Sequence, residues 1–245
     1  MRILVIPDVH LKPKLFDYAD ELLGQGVADK ALCLMDLPDE FGQEYNLDLY
    51  DRTFEAAIGF ARKRPETLWC YGNHEFSYLW NMRTNKFSTF CSELAARRIR
   101  ELRDSLPDPS LMAIAHRIGK VIFLHGGLTE DAVRQCTAPE DYADVDKVID
   151  NVNRLLTQDF LWWDSQSPVW YRPQISYRAL YDPDRFVQVV GHTPVEQIRK
   201  DGCVISCDVF SRHRNGLPIG NRRFPVIDTE TGNWTEHPVP GETDR

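Results

Sequence analysis

Short apolar runs alternate with longer amphipathic stretches through the first part of the chain. The apolar runs cover residues 2–6, 30–35 and 66–71, and their lengths are typical of buried strands. Between them, residues 14–24 and 48–63 space their apolar positions as an amphipathic helix does. The order strand, helix, strand, helix, strand predicts parallel strands joined by right-handed crossovers.

The pattern changes after residue 75. Residues 75–105 predict helix up to Pro107, and residues 111–118 and 120–125 predict a hairpin around Gly119. A further helix is predicted within residues 139–157. Short strands are predicted at 185–190, 195–200, 203–208, 223–228 and 233–237.

No linker, repeat or low-complexity tract divides the chain. We therefore predict one α/β domain over residues 1–237, followed by a frayed tail at 238–245. The stretch 160–181 is irregular and rich in aromatic residues, among them Trp162, Trp163 and Trp170. These rings could line a substrate cleft or pack against the sheet, and the sequence leaves both options open.

Composition excludes some classes of function. The chain has 245 residues and a net charge of −8, which makes binding to nucleic acid an unfavoured function. No apolar run reaches the length of a membrane span, and Pro7 and Asp8 interrupt the N-terminal run too early for a secretory signal. The six cysteines form no Cys-x-x-Cys pair, so we expect reduced thiols and a cytoplasmic protein without a membrane partner. The oligomeric state is not predicted.

Polar residues follow five of the predicted strands, at the point where each strand ends. In open α/β sheets the carboxyl ends of strands surround the site, so these side chains should converge. Carboxylate, amide and imidazole groups are suitable ligands for Mn, Fe or Zn. The residues are Asp8, His10, Asp36, Asp39, Asn73, His74, His125 and His192.

Each of these residues has an ordinary explanation when it is taken alone. Asp36 and Asp39 flank Pro38 as turn residues do, Asn73 suits a helix cap, and an isolated histidine is more often a buried, hydrogen-bonded side chain. Four of the seven histidines, however, fall at these strand ends. The joint pattern therefore favours a metal site.

Five motifs in this order resemble the calcineurin-like metallophosphoesterase superfamily. They are DVH (8–10), MDLPD (35–39), GNHE (72–75), LHGGL (124–128) and GHTP (191–194). The HGGL motif and VWYRP (169–173) are most similar to the bacterial and phage phosphoprotein-phosphatase branch. The resemblance implies an α/β sandwich of two mixed β-sheets flanked by helices.

The resemblance also implies a ligand set for two divalent metal ions, with Mn expected first and Fe or Zn as alternatives. Asp36 would bridge the two ions. One ion would be held by Asp8, His10 and Asp36, and the other by Asp36, Asn73, His125 and His192.

The catalytic residues implied by the resemblance are His74, Asp39 and Arg172. His74 would be the general acid, oriented by Asp39, and Arg172 would hold the phosphoryl oxygens together with Asn73 and His192. Two cations about 4 Å apart can hold a hydroxide that attacks phosphorus in line. The expected substrate is a phosphomonoester, with a phosphoprotein as one candidate. A dinucleoside polyphosphate hydrolase and a non-catalytic interaction module are the alternatives.

Two residues depart from the family pattern. Met35 stands where the family has a glycine, and Glu40 stands where the phosphatase branch has a phosphate-binding arginine. We therefore expect a basic residue from the segment 212–223 to replace the missing charge. The candidates are Arg212, Arg214, Arg222 and Arg223.

Overall fold

The computed structural model describes residues 1–157 and 165–239, and within them the sequence forms two β-sheets and six α-helices. The strands are β1 (Arg2–Ile6), β2 (Lys30–Cys33), β3 (Leu68–Cys70), β4 (Met112–Ala113), β5 (Ala115–Ile118), β6 (Val121–Leu124), β7 (Val187–Val190), β8 (Arg199–Asp201), β9 (Val204–Ser206), β10 (Arg223–Asp228) and β11 (Trp234–Pro238). The helices are α1 (Lys14–Gly24), α2 (Leu47–Lys63), α3 (Asn73–Leu79), α4 (Ser92–Asp104), α5 (Glu130–Cys136) and α6 (Val145–Arg154).

Both sheets are mixed, which confirms the predicted fold class. The first has the strand order β11-β10-β1-β2-β3-β4, with β1 to β4 parallel and β10 and β11 antiparallel. The second has the order β5-β6-β7-β9-β8, with a parallel centre formed by β6, β7 and β9. Their buried side chains form one continuous hydrophobic cluster. The predicted parallel order of the first three strands is correct.

Three predicted elements differ from the structure. The continuous helix over 75–105 is wrong, because α3 and α4 are separated by a non-helical segment in which Asn81 and Lys86 take positive φ angles of 52° and 67°. The strand predicted at 111–118 is two strands, β4 and β5, that belong to different sheets. The predicted strand 195–200 forms only at its end, as β8.

The C-terminal end of the fold also differs from the prediction. Pro238 pairs with Arg223 as the last residue of β11, and Val239 is buried, so the predicted tail does not begin at Pro238. Residues 240–245 lie outside the described part of the chain, as do Phe160, Trp162 and Trp163 of the aromatic segment. Across residues 1–157 and 165–239, every helix is too short or too polar to cross a lipid bilayer.

Candidate functional site

The carboxyl ends of six parallel strands, three from each sheet, meet around one cavity. Strands β1, β2 and β3 supply the first sheet's residues, and β6, β7 and β9 supply those of the second. The cavity has a volume of about 350 Å³. Its lining includes His10, Asp36, Asn73, His74, Arg172 and His192, while Asp8, Asp39 and His125 are fully buried side chains.

The loops after β1, β2 and β7 have a left-handed backbone at non-glycine residues. The φ angle is 43° at His10, 57° at Met35, 44° at Asp36 and 62° at His192. Such conformations are uncommon outside glycine and occur preferentially at functional sites. Met35 is fully buried at its positive φ. The turn before Asp36 thus exists without the glycine of the family pattern.

Glu75 joins the loop after β2 to the start of α3. Its Oε1 accepts a hydrogen bond from the Leu37 N–H at 2.7 Å, and its Oε2 accepts from the N–H groups of Asp36 at 3.1 Å and Gly72 at 3.0 Å. Burial and the nearby Asp36 carboxylate raise the pKa of Glu75 to about 7. Glu75 is part of the GNHE motif, but the sequence did not predict its role. That role depends on a contact with Leu37, which is 38 residues away in the chain.

Two glycines allow the carboxylates to approach the backbone closely. A Cβ atom on Gly72 would lie 2.1 Å from Asp36 Oδ1, and a Cβ atom on Gly191 would lie 2.0 Å from Asp8 Oδ1. Both distances are far below van der Waals contact, so neither position accepts a side chain without displacing its carboxylate.

Three of the site's histidines each use one ring nitrogen to bind a backbone carbonyl. These contacts fix the ring orientation and the tautomer, as is usual for metal-ligating histidines. The pairs are His10 Nδ1 with Pro38 O at 3.3 Å, His125 Nδ1 with Leu34 O at 2.9 Å, and His192 Nε2 with Trp170 O at 3.0 Å.

The Nε2 atoms of three histidines lie near the carboxylate of Asp36. Its Oδ2 lies 3.2 Å from His125 Nε2, 3.8 Å from His10 Nε2 and 4.0 Å from His74 Nε2. Two groups have ligand atoms that all lie within 4.8 Å of one another: His10, Asp36 and His74, and Asp36, His125 and His192. Asp36 therefore belongs to both groups. Asn73 Oδ1 joins the second group through a 3.1 Å contact with His125 Nε2.

Strong electrostatic coupling accompanies this geometry. Burial disfavours the charged forms of His125 and Asp36, but their mutual attraction outweighs it. The pKa of His125 rises to about 10, and the pKa of Asp36 falls well below its usual range.

Asp8 lies outside both groups but belongs to the same site. Its Oδ2 accepts a hydrogen bond from the His192 N–H at 2.7 Å, whereas its Oδ1 is buried and has no hydrogen-bond partner among the described residues. Burial, followed by the neighbouring Asp208 carboxylate, raises the pKa of Asp8 well above its usual range. A buried carboxylate oxygen without a partner is costly in free energy, and a bound cation would satisfy it. The nitrogen and oxygen donors of this site therefore fit divalent metal ions.

The Nδ1 atom of His74, on the side of the ring away from Asp36, contacts Asp39. It lies 2.6 Å from Asp39 Oδ2, and Asp39 Oδ1 accepts hydrogen bonds from the hydroxyls of Tyr50 and Tyr78. Burial lowers the pKa of His74, but the Asp36 and Asp39 carboxylates outweigh this effect and raise it overall. The structure thus brings Asp39 and His74 together and leaves His74 Nε2 facing the cavity.

Arg172 reaches the site from the irregular segment that precedes β7. Its Nη1 donates to the His192 carbonyl and to Thr193 Oγ1, the latter at 3.1 Å. Its neighbour Trp170 also lines the cavity, with its ring edge-on to His192 at a centroid distance of 5.7 Å. Of the aromatic segment, Trp170 therefore lines the cavity, whereas Tyr181 packs in the core.

Glu40 does not leave an unpaired negative charge at the site. Its Oε2 lies 2.9 Å from Lys12 Nζ, and the same ammonium donates to the His10 carbonyl at 2.9 Å. Both side chains are largely buried. The pair therefore supports the loop that carries His10, a contact across 28 residues that the sequence did not predict.

Besides Arg172, three cations line the cavity without an acidic partner among the described residues. They are Lys86, Arg212 and Arg214, and none has a carboxylate oxygen within 4.0 Å among the described residues. Elsewhere on the described surface, arginines such as Arg98 are paired with carboxylates. Of the four arginines expected to replace the missing phosphate-binding charge, only Arg212 and Arg214 line this cavity, and Arg222 and Arg223 do not.

Asp208 is a site residue that the sequence pattern did not single out. It follows β9, lines the same cavity and is 1% exposed. Polar residues that directly follow a strand were taken as site candidates, and Asp208 follows β9. It was missed because the predicted strand, 203–208, included Asp208 as its last residue.

Comparison with known proteins identifies the family of the chain. The family model described as calcineurin-like phosphoesterase matches residues 1–219. A comparison with curated protein sequences gave no significant match.

Solved structures give a consistent result for the fold. The chain is similar to a cold-active protein-tyrosine phosphatase of a psychrophilic Shewanella species, with a TM-score of 0.55 and 18% identity over 96% of this chain and 80% of that one. A second structure, of a cold-active protein tyrosine phosphatase at 1.1 Å, gives a TM-score of 0.53 and 18% identity over 96% and 78% of the two chains. At this identity the likeness shows the fold alone. The extent of the family match goes further: the chain belongs to the calcineurin-like phosphoesterase family and is a hydrolase of that class.

Proposed function

We propose that the chain is a two-metal phosphomonoesterase in which Asp36 would be a ligand shared by both divalent ions. The observation that carries the proposal is the orientation of the histidines around this carboxylate. His10, His74 and His125 each have one ring nitrogen bound to a carbonyl or carboxylate and the other within 4.0 Å of Asp36 Oδ2. A site held in this way is preorganised for cations rather than for a single structural hydrogen bond.

The proposed ligand set adds Asn73 to the second compact group and takes Asp8 in place of His74 in the first. We assign Asp8, His10 and Asp36 to one ion and Asp36, Asn73, His125 and His192 to the other. The Oδ1 atom without a hydrogen bond supports the assignment of Asp8, which lies outside both compact groups. When bound, the two ions would activate a water nucleophile and offset the charge of the phosphoryl oxygens. Mn is the first expectation, with Fe or Zn as alternatives.

The remaining residues act on the substrate. His74 donates the proton on Nε2 to the leaving oxygen, while Asp39 holds the proton on Nδ1 and so fixes which nitrogen faces the cavity. The guanidinium of Arg172 faces the cavity and offers a planar pair of donors to phosphoryl oxygens. Asn73 and His192 border the same space.

A phosphoprotein is one candidate substrate, consistent with the bacterial and phage phosphoprotein-phosphatase branch. The similarity to a Shewanella protein-tyrosine phosphatase makes phosphotyrosine peptides worth testing beside phosphoserine peptides. The three unpaired cations at the cavity favour an anionic substrate and also keep a dinucleoside polyphosphate as the second candidate. The complete set of candidate ligands disfavours a non-catalytic interaction module.

A substrate panel tests the proposal. With Mn²⁺ present, we expect turnover of p-nitrophenyl phosphate, and we would compare phosphotyrosine peptide, phosphoserine peptide and diadenosine tetraphosphate by product release. The metal content of the purified protein is measured in parallel. Protein that binds no divalent ion would refute the metal centre and favour the interaction module, whereas protein that binds divalent ions but hydrolyses none of these compounds would contradict the proposed phosphomonoesterase activity.

The unpaired cations give a prediction on substrate affinity. We expect the double variant Arg212→Ala, Arg214→Ala to raise KM for p-nitrophenyl phosphate roughly tenfold with little change in kcat, because these charges attract the dianion without contacting the reacting atoms. The increase should shrink at high ionic strength, where exposed charges are screened.

Arg62→Ala is the matched control, since Arg62 is exposed on α2 and does not line the cavity. An equal rise in KM for this variant would mean that net charge, rather than the position of the two arginines, is responsible. A much larger effect on diadenosine tetraphosphate than on p-nitrophenyl phosphate would favour the second candidate substrate.

The cytoplasmic location stays a proposal. It is supported by the six cysteines, all of which are free thiols in the structure, as is usual in a reducing compartment.

A further inference from the structure

Asp208 is a buried carboxylate that the proposed ligand set does not use. It follows β9, the parallel neighbour of β7, and therefore enters the cavity beside the loop that carries His192. Its backbone carbonyl accepts a hydrogen bond from the Val195 N–H at 2.9 Å, which fixes the chain at this point. Its side chain lies in the same cavity lining as His10 and Asp36.

Only one of the two carboxylate oxygens is satisfied. Oδ2 accepts a hydrogen bond from Ser211 Oγ at 2.9 Å, whereas Oδ1 is buried and has no hydrogen-bond partner among the described residues. No cationic side chain of the described residues lies within 4.0 Å of either oxygen, and the nearby Lys12 is already bound to Glu40. An unpaired buried carboxylate is strongly unfavourable unless something else offsets its charge.

Asp208 adds to an existing concentration of negative charge. Asp8 and Asp36 are also buried, and each interacts electrostatically with Asp208. Asp8 Oδ1 likewise has no hydrogen-bond partner among the described residues, and its nearest cationic group is the His125 ring at 3.9 Å. Three buried carboxylates therefore lie close together at this end of the strands, and two of them have an oxygen without a hydrogen bond. A bound divalent cation would offset this charge and satisfy the two oxygens that lack a hydrogen bond.

We propose that Asp208 is a positioning residue that increases the affinity of the Asp8 and His10 side of the centre for its divalent cation. The inference rests on the proposed metal centre. That side has three assigned protein ligands, Asp8, His10 and Asp36, against four on the other side. The negative charge of Asp208 and its unpaired Oδ1 compensate for the smaller ligand number. Ser211 holds the carboxylate in place through Oδ2.

The test compares the wild type with Asp208→Asn, which removes the charge and keeps the shape. Full-length metal-free protein is titrated with Mn²⁺ in a calorimeter. We expect two binding events in the wild type, and in the variant a roughly 10- to 100-fold loss of affinity in one of them only. Asp208→Glu, which restores the charge, should recover part of the loss. Asp150→Asn, an exposed change of the same charge on α6, should bind like the wild type.

Thermal unfolding separates this role from a structural one. Without metal, Asp208→Asn should have a Tm equal to or above that of the wild type, because one of three buried carboxylates is gone. At a fixed Mn²⁺ concentration its Tm should fall below that of the wild type, since the stabilisation depends on cation affinity. A Tm lowered equally in both conditions, or unchanged affinity for both ions, would overturn the inference. A wild type that binds no Mn²⁺ would overturn both the proposed function and this inference, whereas normal binding by the variant would overturn the inference alone.

Discussion

Asp36→Asn is expected to lower kcat/KM for p-nitrophenyl phosphate by at least about 1,000-fold, which corresponds to roughly 4 kcal/mol of transition-state stabilisation. Asp36 is the one side chain shared by both groups of candidate ligands. Replacing its carboxylate by an amide removes the negative charge that both cations would share. The loss should therefore affect the binding of both ions and the chemical step together.

The substitution is chosen to leave the local structure intact. Asp36 has a φ of 44°, a conformation that asparagine also adopts readily. Asp36 Oδ1 accepts a hydrogen bond from the His74 N–H at 3.0 Å, and an amide oxygen can do the same. The variant should thus fold, as circular dichroism would show, and bind Mn²⁺ weakly in calorimetry. Asp150→Asn serves as the control, and wild-type turnover by Asp36→Asn would contradict the two-metal scheme.

His74→Asn is expected to produce a loss that depends on the leaving group. A general acid contributes about 100- to 10,000-fold in rate, and most where the departing oxygen is strongly basic. For an alkyl phosphate such as glycerol phosphate the loss should fall in that range. For p-nitrophenyl phosphate, whose leaving oxygen needs little protonation, the loss should be roughly tenfold smaller or less. The measurement is kcat for both substrates in both proteins.

The control for this variant is His237→Asn on β11, which lies outside the cavity. Asp39→Asn should show the same dependence on the leaving group with a smaller amplitude, because His74 would keep its place but lose the carboxylate that orients it. Equal losses of His74→Asn on both substrates would contradict the role as general acid. Weaker Mn²⁺ binding in the same variant would then indicate that His74 is a ligand, as its position beside His10 and Asp36 allows.

Much of the fold and the convergence of the candidate side chains could be predicted from the sequence, because both depend on short apolar strands and on the polar residues at their carboxyl ends. Asp8 and Asp36 stand shortly after the buried strands β1 and β2, so the parallel pairing of these strands brings both residues to one edge of the first sheet. The loop between α3 and α4 was harder to predict. The helical pattern continues around it, and the break at Lys86 depends on a backbone conformation that no residue type there requires.

The contacts that orient the site could not be predicted. His125 is held by the carbonyl of Leu34, and His192 by the carbonyl of Trp170. Backbone carbonyls are present at every residue, so their use as partners leaves no trace in the sequence. The ion pair of Lys12 and Glu40 could not be predicted from the sequence either, since it depends on two loops being adjacent in space. Asp208 was missed for a different reason, an incorrect strand end.

The hydrogen bonds of the site also connect the two sheets directly. His125 after β6 binds the Leu34 carbonyl after β2, and the His192 N–H after β7 binds Asp8 after β1. An ion shared by Asp36 and His125 would thus act as a noncovalent cross-link between two halves of the core. Its binding free energy would be lost as soon as the sheets separate, so metal-loaded protein should unfold in a single cooperative transition that includes both sheets.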